Sequence, residues 1–479
     1  MHINRPRYLL FLIPFALSSL LSDTPVLSYI TAWLGSFYIF YLTWFSKNRF
    51  IKNDLPVASQ IMRPIFLLQL IFAGFMCCTS IFYFLDHLGY EYFVKVNPGN
   101  FVSNEQTYLI AKCQRICLLA HIGLVWGMLY YSSLKKTKIK YIFQQKQSDL
   151  YWLRIALFFY ITAIGFQFLP GLLQFSIYFN NMAIFSASLL LLKGLRTKKT
   201  LWIVYGTTMF GLNFINATLT GFKEHIIVNV IILFALLFPY YKRAITLVSI
   251  PTIYVLLYIL PTYASIVRQS WSGEKTAVEA RSEALETIFQ EDNEEIIDNT
   301  NWGFLTNRFS EIGMFTQYVD YVPAHHDFYK TEIIHNALIA LIPRQFYPNK
   351  PITEQVAMER VYDAGVISRL SSVSAKTRPV VDAYLSFGYV GTFVFLFLFG
   401  CCVQFFNDTA ERWFGGYEFG CIVMFNGCFQ GLWRGNNLEF MLNNMLYGFI
   451  TMIIVFRVLL WAGYVTKKSN LYNQTSESY

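Results

Sequence analysis

Long apolar runs separated by short polar stretches dominate this chain. They fall near residues 8–22, 26–45, 64–85, 110–132, 152–169, 172–193, 201–219, 225–241, 244–263, 382–406, 416–433 and 438–460. All but the shorter first run are roughly 17–25 residues long, the length a helix needs to cross hydrocarbon. The runs are continuous rather than alternating, which excludes a transmembrane barrel. The pattern predicts an all-α polytopic membrane protein with about twelve transmembrane helices. The first run follows Arg5 and Arg7 and is short enough to resemble a signal peptide, with a weak small-residue pattern over Phe15–Ser22. The alternation of basic connections is easier to satisfy if it stays as a helix.

With the N-terminus in the cytoplasm, the inside connections carry Lys47, Arg49 and Lys52, then Lys135, Lys136, Lys138 and Lys140, then Arg196, Lys198 and Lys199, then Lys242 and Arg243, and finally Arg412. The tail adds Lys467 and Lys468. The outside connections Ser22–Pro25, Asp86–Gln106 and Pro170–Gly171, and the turns at Lys223 and Arg434, are nearly free of basic residues. Lys and Arg retained on one side set orientation, so both termini are expected in the cytoplasm. The expected division is helices 1–9 over residues 1–263, an external loop over 264–381, helices 10–12 over 382–463, and a cytoplasmic tail over 464–479.

Composition agrees with this picture. Charged residues make up 14% of the chain, against about 25% in soluble globular proteins. The net charge of +9 sits in clusters between apolar runs, so it reports topology rather than nucleic-acid binding. The eight cysteines lie in or beside the apolar runs and none falls in the external loop. They form neither a disulfide framework nor a spaced metal-binding set.

Candidate chemistry concentrates in the external loop, which is too aromatic to be disordered. Glu274–Asp298 reads as an acidic amphipathic helix with Val278, Leu285, Ile288 and Phe289 on one face, packing on the loop. Thr306–Val322 reads as a helix carrying Phe309, Ile312, Phe315 and Val319 on one side. Arg308 and Glu311 share its other side, either as a surface ion pair or with the arginine aimed at a phosphate. Thr331 can cap a helix in which Glu332 and His335 lie one turn apart, a pairing that would orient the imidazole and raise its pKa. Asn336 adds a hydrogen-bonding side chain, and His335 reads equally as structural or catalytic. Beyond it, Pro343–Pro351 forms a stiff turn presenting Arg344 and Lys350. His325-His326-Asp327 reads as a polar loop, since adjacent histidines point apart and no third ligand is spaced for a metal. Lys223, Arg378 and Arg434 lie on other external segments. Together with Arg344 they would form a basic pocket suited to a pyrophosphate head group.

Three stretches resemble the bacterial O-antigen polymerase and O-antigen ligase superfamily, on its polymerase side. They are Ile342-Pro343-Arg344 running to Pro348-Asn349-Lys350-Pro351, Asp382–Gly391 at the start of a span, and Thr220–Glu224. The likeness covers roughly the second half of the chain. The family usually has Glu where this chain has Asp382, followed by a tyrosine matched by Tyr384, and Arg where this chain has Lys223. The resemblance implies an inverting, metal-independent glycosyltransferase without a cofactor. It would act on an undecaprenyl-pyrophosphate-linked glycan at the outer face of a bacterial cytoplasmic membrane. His335 is then the expected base. Lys223, Arg308, Arg344 and Arg434, helped by Lys350 and Arg378, would stabilise the leaving pyrophosphate. Glu332, Asn336, Asp382 and Tyr384 would support them. A polymerase joins one lipid-linked repeat unit to another, whereas a ligase transfers the glycan to a different acceptor. Partners would be donor and acceptor glycans, membrane lipid and other envelope-polysaccharide proteins such as a chain-length regulator.

Three other functions compete. A flippase or secondary transporter would bury ionisable residues near the midplane, where the spans offer His121, with Lys112 and Arg115 near an end, but few acids. A glycosyltransferase with an acidic pair in its first external loop is disfavoured, because Ser22–Pro25 holds one carboxylate. A non-catalytic scaffold for envelope assembly is also compatible with the sequence.

Overall fold

The computed structural model describes residues 5–45, 51, 54–96, 102–134, 139–143, 151–169, 171–219, 223–267, 276–290, 293–344, 346–371, 375–434 and 436–468. Among them the backbone is overwhelmingly helical, with only two small two-stranded ribbons, β1 (Tyr90–Glu91) with β2 (Val94–Lys95) and β3 (Tyr141–Phe143) with β4 (Val465–Lys467). Membrane-type helices are α1 (Ile13–Leu20, entered through a 3₁₀ stretch at Arg5–Leu12), α2 (Pro25–Phe45), α3 (Leu67–His87), α4 (Asn104–Leu134), α5 (Tyr151–Gln167), α6 (Leu173–Thr197), α7 (Thr200–Leu219), α8 (Lys223–Leu237) and α9 (Lys242–Val267). The segment after α9 folds as α10 (Ala277–Phe289), α11 (Glu294–Phe304), α12 (Ile312–Ala324), α13 (Glu332–Leu341) and α14 (Thr353–Asp363). The chain then returns through α15 (Pro379–Trp413), α16 (Asn426–Phe429, flanked by π and 3₁₀ turns at Tyr417–Phe425 and Gln430–Arg434) and α17 (Leu438–Trp461).

Every apolar run therefore carries helical backbone, as hydrocarbon demands when no water satisfies the peptide groups. Among the described residues, seven helices are both long and apolar enough to cross a membrane: α2, α3, α4, α6, α9, α15 and α17. The chain is an all-α membrane protein at that level.

α4 and α15 form its spine. A methyl group at Gly127 would overlap the Phe397 carbonyl, and one at Gly400 would overlap the Leu124 carbonyl. Gly123 and Gly127, four apart, thus let two backbones touch, the small-residue solution to helix packing in lipid. Polar side chains add interhelical bonds. His121 Nε2 lies 3.0 Å from Gln69 Nε2, and Arg115 donates to Ser28 Oγ at 2.6 Å.

The connections sort by end. At one end, β3 pairs antiparallel with β4. There the Lys140 amide donates to the Arg412 carbonyl, and Lys193 pairs with Glu418 at 2.6 Å. Arg63 is buried there too, binding Glu411 at 2.8 Å and Asp54 at 2.6 Å. At the other end α11 sits on the connection before α4. Trp302 Nε1 donates to Asp86 at 2.7 Å, and the Tyr92 hydroxyl donates to Asn299 at 2.6 Å. The basic positions Lys47, Arg49, Lys52, Lys135, Lys136 and Lys138 lie outside the described residues.

Two helices of the segment α10–α14 differ from expectation. In α10 the buried residues are Ala280 and Ala284, while Val278, Leu285 and Phe289 stand exposed. Small residues let α10 lie close against the end of α9, so its larger apolar side chains face away. The expected helix over 306–322 is broken: a π turn at Leu305–Phe309 ends at an extended Ser310, and α12 begins at Ile312. Ile312, Phe315 and Val319 are buried as a stripe. The break turns Arg308 outward and Glu311 inward.

Candidate functional site

The start of α15 is where the segment α10–α14 meets the long apolar helices. Phe387 (φ −146°, ψ 28°) and Gly388 (φ 60°, ψ −140°) interrupt the helix two turns after it starts. The Gly388 conformation is one that side-chain-bearing residues avoid, so glycine permits the break. Freed carbonyls need donors. The Tyr329 amide bonds the Leu385 carbonyl at 2.9 Å and the Lys330 amide bonds that of Ser386 at 3.0 Å. Phe328 packs edge-on to Tyr384, centroids 5.8 Å apart, and the Tyr384 hydroxyl donates to the Val322 carbonyl at 3.4 Å. Tyr384 thus clamps the segment before α13 onto α15.

Beside this break lies a buried charge network. Arg360 on α14 donates to both Glu439 oxygens, at 2.7 and 3.0 Å, and lies 3.3 Å from Asp382. Asp382 in turn accepts from the Leu438 amide at 2.7 Å, capping α17 from a neighbouring helix. All three side chains are buried. Burial alone would lower the Arg360 pKa, but Asp382 and then Glu439 reverse that and raise it. The guanidinium therefore stays charged. A second pair, Arg378 with Glu311 at 2.6 Å, ties the start of α15 to α12. Tyr318 lies among these charges; burial first, then Asp382, raises its pKa above the phenol range, so it stays neutral. Five charges are thereby committed to one another, and their role is to fix α12, α14, α15 and α17 in register.

The expected site residues divide into two groups. Asp382, Tyr384 and Arg378 are engaged in this framework. Lys350 joins them in kind: its ammonium donates to the carbonyls of Ala340 (3.0 Å) and Ile342 (2.7 Å), closing the end of α13. Burial, then the Arg344 guanidinium, lowers its pKa. Arg344, His335, Glu332 and Arg308 form the second group, all exposed. No hydrogen bond joins His335 to Glu332, and Thr331 precedes α13 without a side-chain cap. Exposed partners one turn apart gain too little to hold each other. Nor does Arg308 pair with Glu311, which Arg378 holds instead. Asn336 is half-buried. Lys223 begins α8 and Arg434 ends the 3₁₀ turn before α17, but their side chains lie outside the described residues, so the convergence of Lys223, Arg344 and Arg434 does too.

α13 itself has a distinctive surface. Ile333, Ala337 and Ala340 are buried where the helix packs on α17. The opposite side exposes Ile334, Leu338 and Ile342, with His335 beside them and Arg344 just beyond. The exposed apolar ridge of this short helix thus has an imidazole beside its start and an exposed guanidinium just past its end. Among the described residues, no group of three His, Cys, Asp or Glu could hold a metal ion.

Arg360 and Glu439 were the residues sequence reasoning missed. Arg360 shares the apolar face of α14 with Ala357, Met358 and Val361, all buried. A charge on an otherwise apolar face is the signal that a buried partner exists.

A family model described as a domain of unknown function, DUF8712, matches residues 13–467, so the chain belongs to that family. No curated protein and no solved structure matches it.

Proposed function

We propose that this member of DUF8712 is a membrane glycosyltransferase that polymerises or transfers a glycan carried on an undecaprenyl-pyrophosphate-type lipid. The observation that carries the proposal is the exposed face of α13, where Ile334, Leu338 and Ile342 run beside His335 and lead to Arg344. A lipid-linked diphosphate needs an apolar surface for its chain and a cation at the head-group level. The resemblance of the Pro343–Pro351 turn and the Asp382–Gly391 motif to O-antigen polymerases supplies the substrate class. In this scheme Arg344 stabilises the charge gathering on the leaving pyrophosphate. His335 accepts the proton of the attacking sugar hydroxyl. Attack opposite the leaving group inverts the anomeric centre. The buried network of Arg360, Asp382 and Glu439 holds α14 against α15 and α17, the helix on which α13 packs.

The same proposal takes all twelve apolar helical runs as membrane spans, with both termini cytoplasmic and the segment 264–381 on the outer face. The gathering of Arg63, Lys140, Lys193, Arg412 and β4 at one end supports that orientation.

The test is reconstitution of the purified chain in lipid with lipid-linked repeat units as donor and acceptor. Longer glycans without added metal are expected from the wild type. Arg344→Ala should abolish turnover, and His335→Ala should depress it severely at neutral pH, with both proteins folded. An unchanged product ladder with a verified native substrate rejects the polymerase assignment. Wild-type rates in both variants reject the site.

A further inference from the structure

We infer that α10 is an interfacial helix, lying in the outer leaflet beside α9 with its apolar ridge in lipid. This stands apart from the proposed chemistry and needs only that α9 crosses the membrane with Lys242–Arg243 on the cytoplasmic side, the orientation proposed above.

Three observations converge. First, only 11% of the residues in the apolar window of α9 are buried in the protein, so most of its side chains there are at least partly open to lipid wherever it is immersed. Counting about twenty residues at ~1.5 Å each from the basic pair Lys242–Arg243, the hydrocarbon ends near residue 262. Second, the external helices join α9 at that level rather than above it. The Thr262 hydroxyl donates to Asn301 of α11 at 3.4 Å, and the Tyr258 hydroxyl faces the Asp298 carboxylate. α10 packs on the same outer end of α9, through Ala280 and Ala284. Third, α10 separates its side chains by polarity. Val278, Leu285 and Phe289 are 74, 50 and 78% exposed. At about 100° per residue they share one narrow ridge, while Glu279, Glu283 and Glu286 fall together roughly 80–140° away. The acids lie on one flank between ridge and contact face. A capping box between Thr276 and Glu279 starts the helix firmly.

A helix held at the hydrocarbon boundary, with acids on one flank and an unburied apolar ridge, has one arrangement that satisfies both. The acids face water and the ridge dips into the acyl region, continuing the lipid-facing surface of α9. An apolar ridge in water would be an unexplained cost at this position.

Site-directed spin labelling tests this in the full chain reconstituted in phosphatidylcholine vesicles. Cysteines replace Val278, Leu285, Phe289, Glu279 and Glu286 one at a time, on a Cys402→Ser background that removes the exposed native thiol. Accessibility is read to oxygen, which concentrates in lipid, and to a water-soluble nickel chelate. The oxygen-to-nickel ratio should be several-fold higher at 278, 285 and 289 than at 279 and 286. Equal ratios at all five positions put the ridge in water and overturn the inference. Protection from both reagents at the ridge also overturns it, because a protein surface, such as a second copy of the chain, then covers it.

Discussion

Replacing Arg360 with leucine should release α14 from α15 and α17 while leaving the spans assembled. The guanidinium is 3% exposed, and the two carboxylates it serves, Asp382 and Glu439, are fully buried. Without it, two like charges share one dry site with no counter-ion. Removing one partner of a buried ion pair costs about 3–5 kcal/mol. Protonation of one acid relieves part of that, so the low end is expected. At ~1.4 kcal/mol per tenfold, a loss of about 3 kcal/mol raises opening of the docked helix roughly a hundredfold. Hydrogen-exchange mass spectrometry in nanodiscs reads this directly, comparing peptides over Thr353–Asp363 with those from residues 389–413 of α15. Only the first should exchange faster.

A companion variant separates charge from packing. Adding Asp382→Asn and Glu439→Gln to Arg360→Leu removes the stranded charges, so much of the protection should return. Arg360→Lys should fall between, because an ammonium cannot reproduce the two-pronged contact with Glu439. Wild-type exchange in Arg360→Leu alone, or a triple variant no better than the single one, would refute the network as the tie between α14 and the spans.

Other outcomes follow from the same geometry. Gly127→Leu should prevent α4 and α15 from closing, so the protein should lose its monodisperse peak in detergent gel filtration. Gly388→Ala should lower the melting temperature, since a side chain in that conformation costs about 1–3 kcal/mol and the added methyl would press on the Phe328 ring. Trp302→Phe deletes the 2.7 Å bond to Asp86; a loss of about 1 kcal/mol should appear as faster exchange in α11.

Much of the membrane architecture was legible because lipid imposes one rule: an apolar run must be helical. The ends of helices were less so. The run at 382–406 became Pro379–Trp413 because Asp382, Asp408 and Glu411 are all buried by protein partners, letting the helix continue past its apolar stretch. The run at 416–433 is wound largely as π and 3₁₀ turns. Side-chain pairing was the least legible, because spacing along a helix scores only local partners. Arg308 and Glu311 sit three apart, yet Glu311 goes to Arg378, 67 residues away. Glu332 and His335 also sit three apart and stay unbonded in the exposed face of α13. Arg360 lay unnoticed because its partners belong to helices that meet it only in the folded chain.

The placement of buried charge argues for which parts of the molecule move. α15 is pinned near its start by Arg360 and Arg378 and near its other end by Arg63 on Glu411. Between them its backbone touches α4 through glycines that leave no room to slide. Close-packed elements of this kind shift between discrete arrangements or not at all. Any adjustment to a lipid-borne substrate is therefore expected outside this spine. The turn carrying Arg344 is the natural place, since its guanidinium is exposed and the Lys350 ammonium is the side chain that closes on the end of α13 behind it. Lys350→Met should loosen that turn without disturbing α15. If lipid-linked substrate is held as proposed, the loss should appear mainly as weaker substrate affinity, with turnover at saturation preserved. A variant that instead loses turnover at saturation with affinity intact would show that Lys350 acts on the chemical step itself.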